Sequence, residues 1–180
     1  MKIFDMKFKE IFVSEIISIL FGLISGVILA VYTDNILLIP GMLIIIPGFL
    51  EMRGNISGSL AARLTSGMYL GLVNPKRIAS KIVRGNVSAS FILAILVSLI
   101  LGVFAFGFNL LILKSYTPSI ILIPLIAGII SNMIEIPITL FFTFYLFKKG
   151  HDPDDIMGPF VTSTGDLISI ISLLAAIVII

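Results

Sequence analysis

Glu51-Met52-Arg53-Gly54-Asn55-Ile56-Ser57-Gly58-Ser59-Leu60-Ala61-Ala62-Arg63-Leu64 is a run of small and polar residues between an apolar stretch ending at Phe49 and Leu50 and a basic loop around Lys76. Its surroundings decide the fold class. Charged residues make up 12% of the 180 and hydrophobic ones 58%, with a mean hydropathy of +1.19. Soluble domains carry about 25% charge, so the composition belongs to an integral membrane protein. An ionisable side chain in hydrocarbon costs roughly 2.5–3.5 kcal/mol on insertion and marks function when retained. Asp166, inside the last apolar segment, is a second breach of the same kind.

Outward from that run, five apolar stretches can be marked: about Ile11 to Tyr32, one starting near Ile36, about Val87 to Phe108, about Ile120 to Phe147, and about Ile156 to Ile180. Each is near or above the roughly 20 residues that a helix needs to cross a bilayer. Alternating segments of a membrane β-barrel are absent, and backbone groups in lipid favour helices. The expected fold is all-α, a single domain over 1–180 with five transmembrane helices. The second is anomalous: Ile36 to Val73 exceeds one perpendicular crossing, and Pro40, Pro47, Gly48 and Gly54 punctuate it, so a long helix is expected that is kinked or projects past the cytoplasmic surface as an amphipathic helix. The first stretch follows Lys2, Lys7 and Lys9, but it is longer than a signal core and no small-x-small site follows Ala30, so it reads as a retained helix. Residues 1–10 alternate Phe4, Met6 and Phe8 with lysines and suit an interfacial helix.

Basic residues set the orientation. The N-terminal arm, the loop with Lys76, Arg77, Lys81 and Arg84, and the Lys148-Lys149 loop are basic, whereas Thr33-Asp34-Asn35 has no basic residue and 107–118 only Lys114. This alternation puts the N-terminus inside and the C-terminus outside, as five spans require. The chain has no cysteine, which excludes disulfides and thiolate metal sites, and a net charge of +2 in short loops gives no nucleic-acid patch. No serine-histidine pair within a span, zinc-protease helix or phosphate-binding glycine loop is present, so no enzyme is expected.

Within the polar run, Gly54 and Gly58 form a small-xxx-small pair that lets helix backbones approach. Glu51, Asn55, Ser59 and Arg63 recur every four residues and share one helical stripe. Such a helix packs on one side and lines a hydrated path on the other; the blander alternative has Arg53 and Arg63 reaching the cytoplasmic interface. Asp166 lies about 15 Å into its helix, near the midplane of a roughly 30 Å core. Thr162, Ser163, Thr164 and Gly165 surround it with hydroxyls and carbonyls, and Gly158 and Pro159 loosen the turn below. Oxygen donors alone suit a hard divalent cation such as Mg2+. A carboxylate paired with Arg53 or Arg63, or simply protonated, is the other reading. Glu135, with Asn132, either faces the same path or neutralises an arginine. His151 sits in an acidic turn where Asp152 caps the following helix.

Two segments together resemble the membrane domain of MgtE-type magnesium channels and their animal solute-carrier relatives. Pro47 to Leu64 is similar to the family's proline-to-Gly-Asn signature, and Asp152 to Leu167 to the hallmark that opens its fifth helix. The resemblance covers nearly the whole chain. It implies a homodimer in the bilayer with a cation path lined by spans two and five, Asp166 holding a largely hydrated magnesium ion and the region around Asn55 lining the pore. The family's large cytoplasmic sensor is not matched, and Ser59 stands where a glutamine is common. Two Asp166 carboxylates across a two-fold axis would balance a divalent charge, which one copy does not. The expected function is a divalent-cation channel or transporter of the cytoplasmic membrane, for Mg2+ first and Mn2+, Co2+ or Ca2+ as alternatives. Asp166, Asn55, Thr162 and Glu51 are its metal site, and Pro47, Gly54, Gly58, Ser59, Glu135, Pro159 and Gly165 its pore-lining or structural residues. A membrane scaffold whose polar stripes bind a partner helix is the alternative.

Overall fold

All regular structure among the described residues is helical. The structure is a computed structural model that describes the backbone of residues 2–180 and the side chains of 7–180. Helix α1 (Lys2–Val31) leads through short α2 (Thr33–Leu37) to α3 (Met42–Tyr69). Helix α4 (Lys81–Phe108) runs into a π-helical turn (Asn109–Leu113), and a 3-10 turn (Pro118–Ile121) leads into α5 (Leu122–Lys148) and then α6 (Pro153–Ile179). The N-terminal residues expected along the interface continue into α1 as its first turns; Met1 lies outside the described residues.

Four of these helices, α1, α4, α5 and α6, are long and apolar enough to cross a membrane. The chain is therefore a multi-pass membrane protein. Helix α3 is equally long at 28 residues but more polar, because it carries Glu51, Arg53 and Arg63. It packs against α4, α5 and α6, while α1 lies mainly along α6. The second apolar stretch divides at the first of its prolines, Pro40, and not at Pro47. Helix α3 continues through Pro47, and the break falls at 38–41, where Gly41 adopts φ +85. A side chain on Gly41 would collide with the Asn109 amide. Asn109 Nδ2 donates to the Pro40 carbonyl at 2.7 Å and to Thr117 Oγ1 at 2.8 Å, pinning this corner to the α4–α5 connection.

At the opposite end of the bundle, Tyr69 stacks edge-on against Phe147 with ring centroids 5.1 Å apart. Lys7 bridges Asp152 and Asp155 at 3.4 and 3.3 Å, and Glu10 meets His151 Nδ1 at 2.9 Å. The starts of α1 and α6 and the ends of α3 and α5 thus share one end, so α3 runs the full depth of the bundle, antiparallel to α1 and α6. That end also carries the basic loops around Lys76–Arg84 and Lys148–Lys149; Lys114 lies at the other. Two caps lie on it: Ser80 Oγ accepts from Val83 N at 3.4 Å, and Asp152, the cap expected from sequence, accepts through Oδ1 from Asp154 N at 3.2 Å.

Apolar side chains are buried in two main layers. One gathers Ile45, Phe49, Met52 and Ile56 of α3 with Ala94, Ala127 and Leu173; the other gathers Leu60, Leu64 and Met68 with Val83, Ile136 and Phe144. Outward faces are apolar too, as with Leu20, Leu23 and Val27 of α1 and Leu96, Ile100 and Phe104 of α4. Lipid is as apolar as these side chains, so close packing and internal polar contacts hold such helices together.

Candidate functional site

The two faces of α3 follow from its periodicity. Positions 49, 53, 56 and 60 turn inward and are buried, whereas Glu51, Asn55, Ser59 and Arg63 turn outward and are exposed. The four-residue spacing read from sequence therefore describes one open stripe. Glu51 and Asn55 are tied along it, Asn55 Nδ2 donating to Glu51 Oε1 at 3.0 Å. Helix α6 lies alongside, and between the two is a cavity of about 270 Å³ lined by Pro47, Leu50, Glu51, Gly54, Asn55, Thr162 and Asp166.

Each lining group has a definable local role. Gly54 keeps the wall low: a Cβ there would lie 3.6 Å from Thr162 Oγ1, an ordinary contact, so α3 and α6 approach closely along this line. Thr162 Oγ1 donates to the Gly158 carbonyl at 3.0 Å, which leaves the oxygen's lone pairs free to accept. Asp166 is half-buried, and among the described residues it makes no hydrogen bond or ion pair. Neither arginine of α3 reaches it. Arg63 Nη2 donates to Ser90 Oγ at 2.9 Å, and Arg53 is spent elsewhere.

Arg53 does not extend to the interface, the bland alternative for it; it is fully buried between α3 and α5. Its guanidinium donates to Asn132 Oδ1 and forms an ion pair with Glu135 Oε2. Asn132 in turn donates from Nδ2 to the Gly128 carbonyl at 2.6 Å. Glu135 therefore neutralises an arginine and does not line the cavity. The signal for this was present in the sequence: Arg53 is two residues from Glu51, about 200° around a helix, and so opposes the polar stripe.

The remaining expected residues divide. Gly165 is buried against α5, where a Cβ would come within 2.9 Å of Glu135 Oε1. Pro159 lies within the continuous α6, and its carbonyl accepts from Ser163 Oγ at 2.9 Å. Gly58 faces open space, with nothing within 4 Å of where its Cβ would be. Ser59 is exposed on the open stripe and donates to the Ile56 carbonyl at 3.0 Å. Among the described residues no three acidic, histidine or cysteine side chains gather as one metal cluster; the cavity has two carboxylates, Glu51 and Asp166.

The family model for MgtE, a divalent cation transporter, matches residues 46–176. The chain belongs to the MgtE family. That match takes in every residue lining the cavity and omits α1 and α2. MgtE proteins form a transport family and are not enzymes, so the cation is cargo, which agrees with the absence of a catalytic constellation in the sequence. Comparison with curated proteins gives no match.

Proposed function

We propose that this MgtE chain passes a hydrated divalent cation, Mg2+ foremost, across the cytoplasmic membrane, using the groove between α3 and α6 in a homodimer. The observation that carries this is Asp166: a carboxylate within an apolar helix, unpartnered among the described residues, facing a polar groove. In that reading α3 also crosses the membrane, as the second of five spans, the basic end of the bundle is cytoplasmic, and the N-terminus is inside. Six waters at about 30 Å³ each take roughly 180 Å³, so a Mg2+ ion that retains its water shell fits the groove. Asp166 attracts the ion, while Asn55, Thr162 and Glu51 accept or donate hydrogen bonds to its waters. A second copy, placed across the exposed stripe of α3, supplies a matching Asp166, closes the groove from lipid and completes the neutralisation of a double charge.

The test is Mg2+ uptake into proteoliposomes loaded with an ion-sensitive dye. Asp166→Asn is expected to reduce flux to the level of protein-free vesicles while its melting temperature stays that of the wild type. Undiminished flux rejects the assignment.

A further inference from the structure

We propose that Glu135 is a charge-masking, positioning residue of the cation path, neutralising Arg53 so that no positive charge stands behind the groove. The inference rests on the reading of Asp166 as the ion's carboxylate. The Arg53–Glu135 pair lies between the two apolar layers, where a hydrophobic pair of similar volume is often as stable or more so. Stability alone is therefore a weak reason to keep it.

Its position supplies a better one. Arg53 immediately precedes Gly54, a wall of the groove on α3, and Glu135 Oε1 abuts Gly165, the residue before Asp166 on α6. Each charge of the pair thus stands directly behind one wall. Gly165 reserves the space for that carboxylate, since a Cβ there would press on Oε1 at 2.9 Å. Among the described residues Glu135 Oε1 and Arg53 Nε have no hydrogen-bond partner, so each charge is compensated chiefly by the other. In surroundings of low dielectric, an unmasked Arg53 would repel a doubly charged ion, and an unmasked Glu135 would hold it. Asn132, anchored on Gly128, fixes the second prong of the guanidinium and keeps the pair aligned.

The two halves of the pair should therefore act with opposite sign on cation affinity. Glu135→Gln is expected to raise the half-saturating Mg2+ concentration by at least about fivefold, because a unit charge acts on a divalent ion with twice the energy it has on a monovalent one. Arg53→Gln is expected to lower it by a similar factor and to slow maximal flux, and the double variant to return within about twofold of wild type. Half-saturation is read both from flux and from Mg2+-dependent thermal stabilisation of the purified protein. Opposite shifts support the proposal; any other pattern overturns it, including the common loss that a purely structural pair would give. Should a single variant not fold, the double variant decides: half-saturation within about threefold of wild type supports the proposal, and a larger departure overturns it. Asp166→Asn run alongside separates the two ideas, because full flux in that variant defeats the site itself, whatever the pair does.

Discussion

Helix α3 carries charge on both sides at the same depth, and the two sides treat it differently. On the inner face, Arg53 meets Glu135 and Asn132 in a closed network sealed above and below by apolar layers. On the outer face, Glu51 and Asn55 hydrogen-bond to each other and look across a groove at Thr162 and at Asp166, which has no partner among the described residues. Charge answered from within the chain organises the bundle, whereas the charge on the groove is the one the proposed function assigns to a passing cation. The distinction does not follow from residue type, since a carboxylate stands on each side.

Breaking the inner face should have the largest effect. Glu135→Leu leaves Arg53 buried without its partner and is expected to cost about 3–5 kcal/mol, seen as a lowered unfolding midpoint in detergent. Glu51→Gln on the outer face should change stability by less than about 0.5 kcal/mol, and equal losses at the two sites would erase the contrast. The glycines sharpen it further. Gly165→Ala must displace the Glu135 carboxylate and is expected to destabilise by about 1–3 kcal/mol. Gly54→Ala, whose Cβ would make only an ordinary contact with Thr162, should leave the melting temperature alone and reduce flux by narrowing the groove. Among the effects on the ion, the smallest belongs to a single oxygen. Thr162→Val keeps the shape of the wall and removes one acceptor, so half-saturating Mg2+ should rise by about fivefold, on the order of 1 kcal/mol, with stability unchanged.

Much of this arrangement was legible in the sequence. Low charge and long apolar runs gave the helical membrane class, and the spacing of Glu51, Asn55, Ser59 and Arg63 gave the open stripe. The polar cluster on the last helix picked out Asp166 and Thr162, and Asp152 before Pro153 gave the cap. What was hidden depends on contacts between distant segments. The break at Pro40 and Gly41 is held by Asn109, whose bond to Pro40 spans 69 positions, so nothing local in the sequence separated Pro40 from Pro47, which α3 accommodates. Arg53 could be placed opposite the stripe by counting, but its partner on α5 becomes visible only when α3 and α5 are packed. Gly165 looked like part of the ion's surroundings because it neighbours Asp166, yet on a helix the adjacent residue points about 100° away, toward Glu135.

The claim that the outer face of α3 borders water and a cation is open to direct measurement, because the chain has no native cysteine. Asn55→Cys and Thr162→Cys, each assembled in proteoliposomes, would be exposed to a charged, membrane-impermeant thiol reagent with and without Mg2+, with the buried Ser57→Cys as the inner-face control. Rapid labelling at 55 and 162, slowed by millimolar Mg2+, and no labelling at 57 is the predicted result. Inert thiols at 55 and 162, or labelling indifferent to Mg2+, would contradict it.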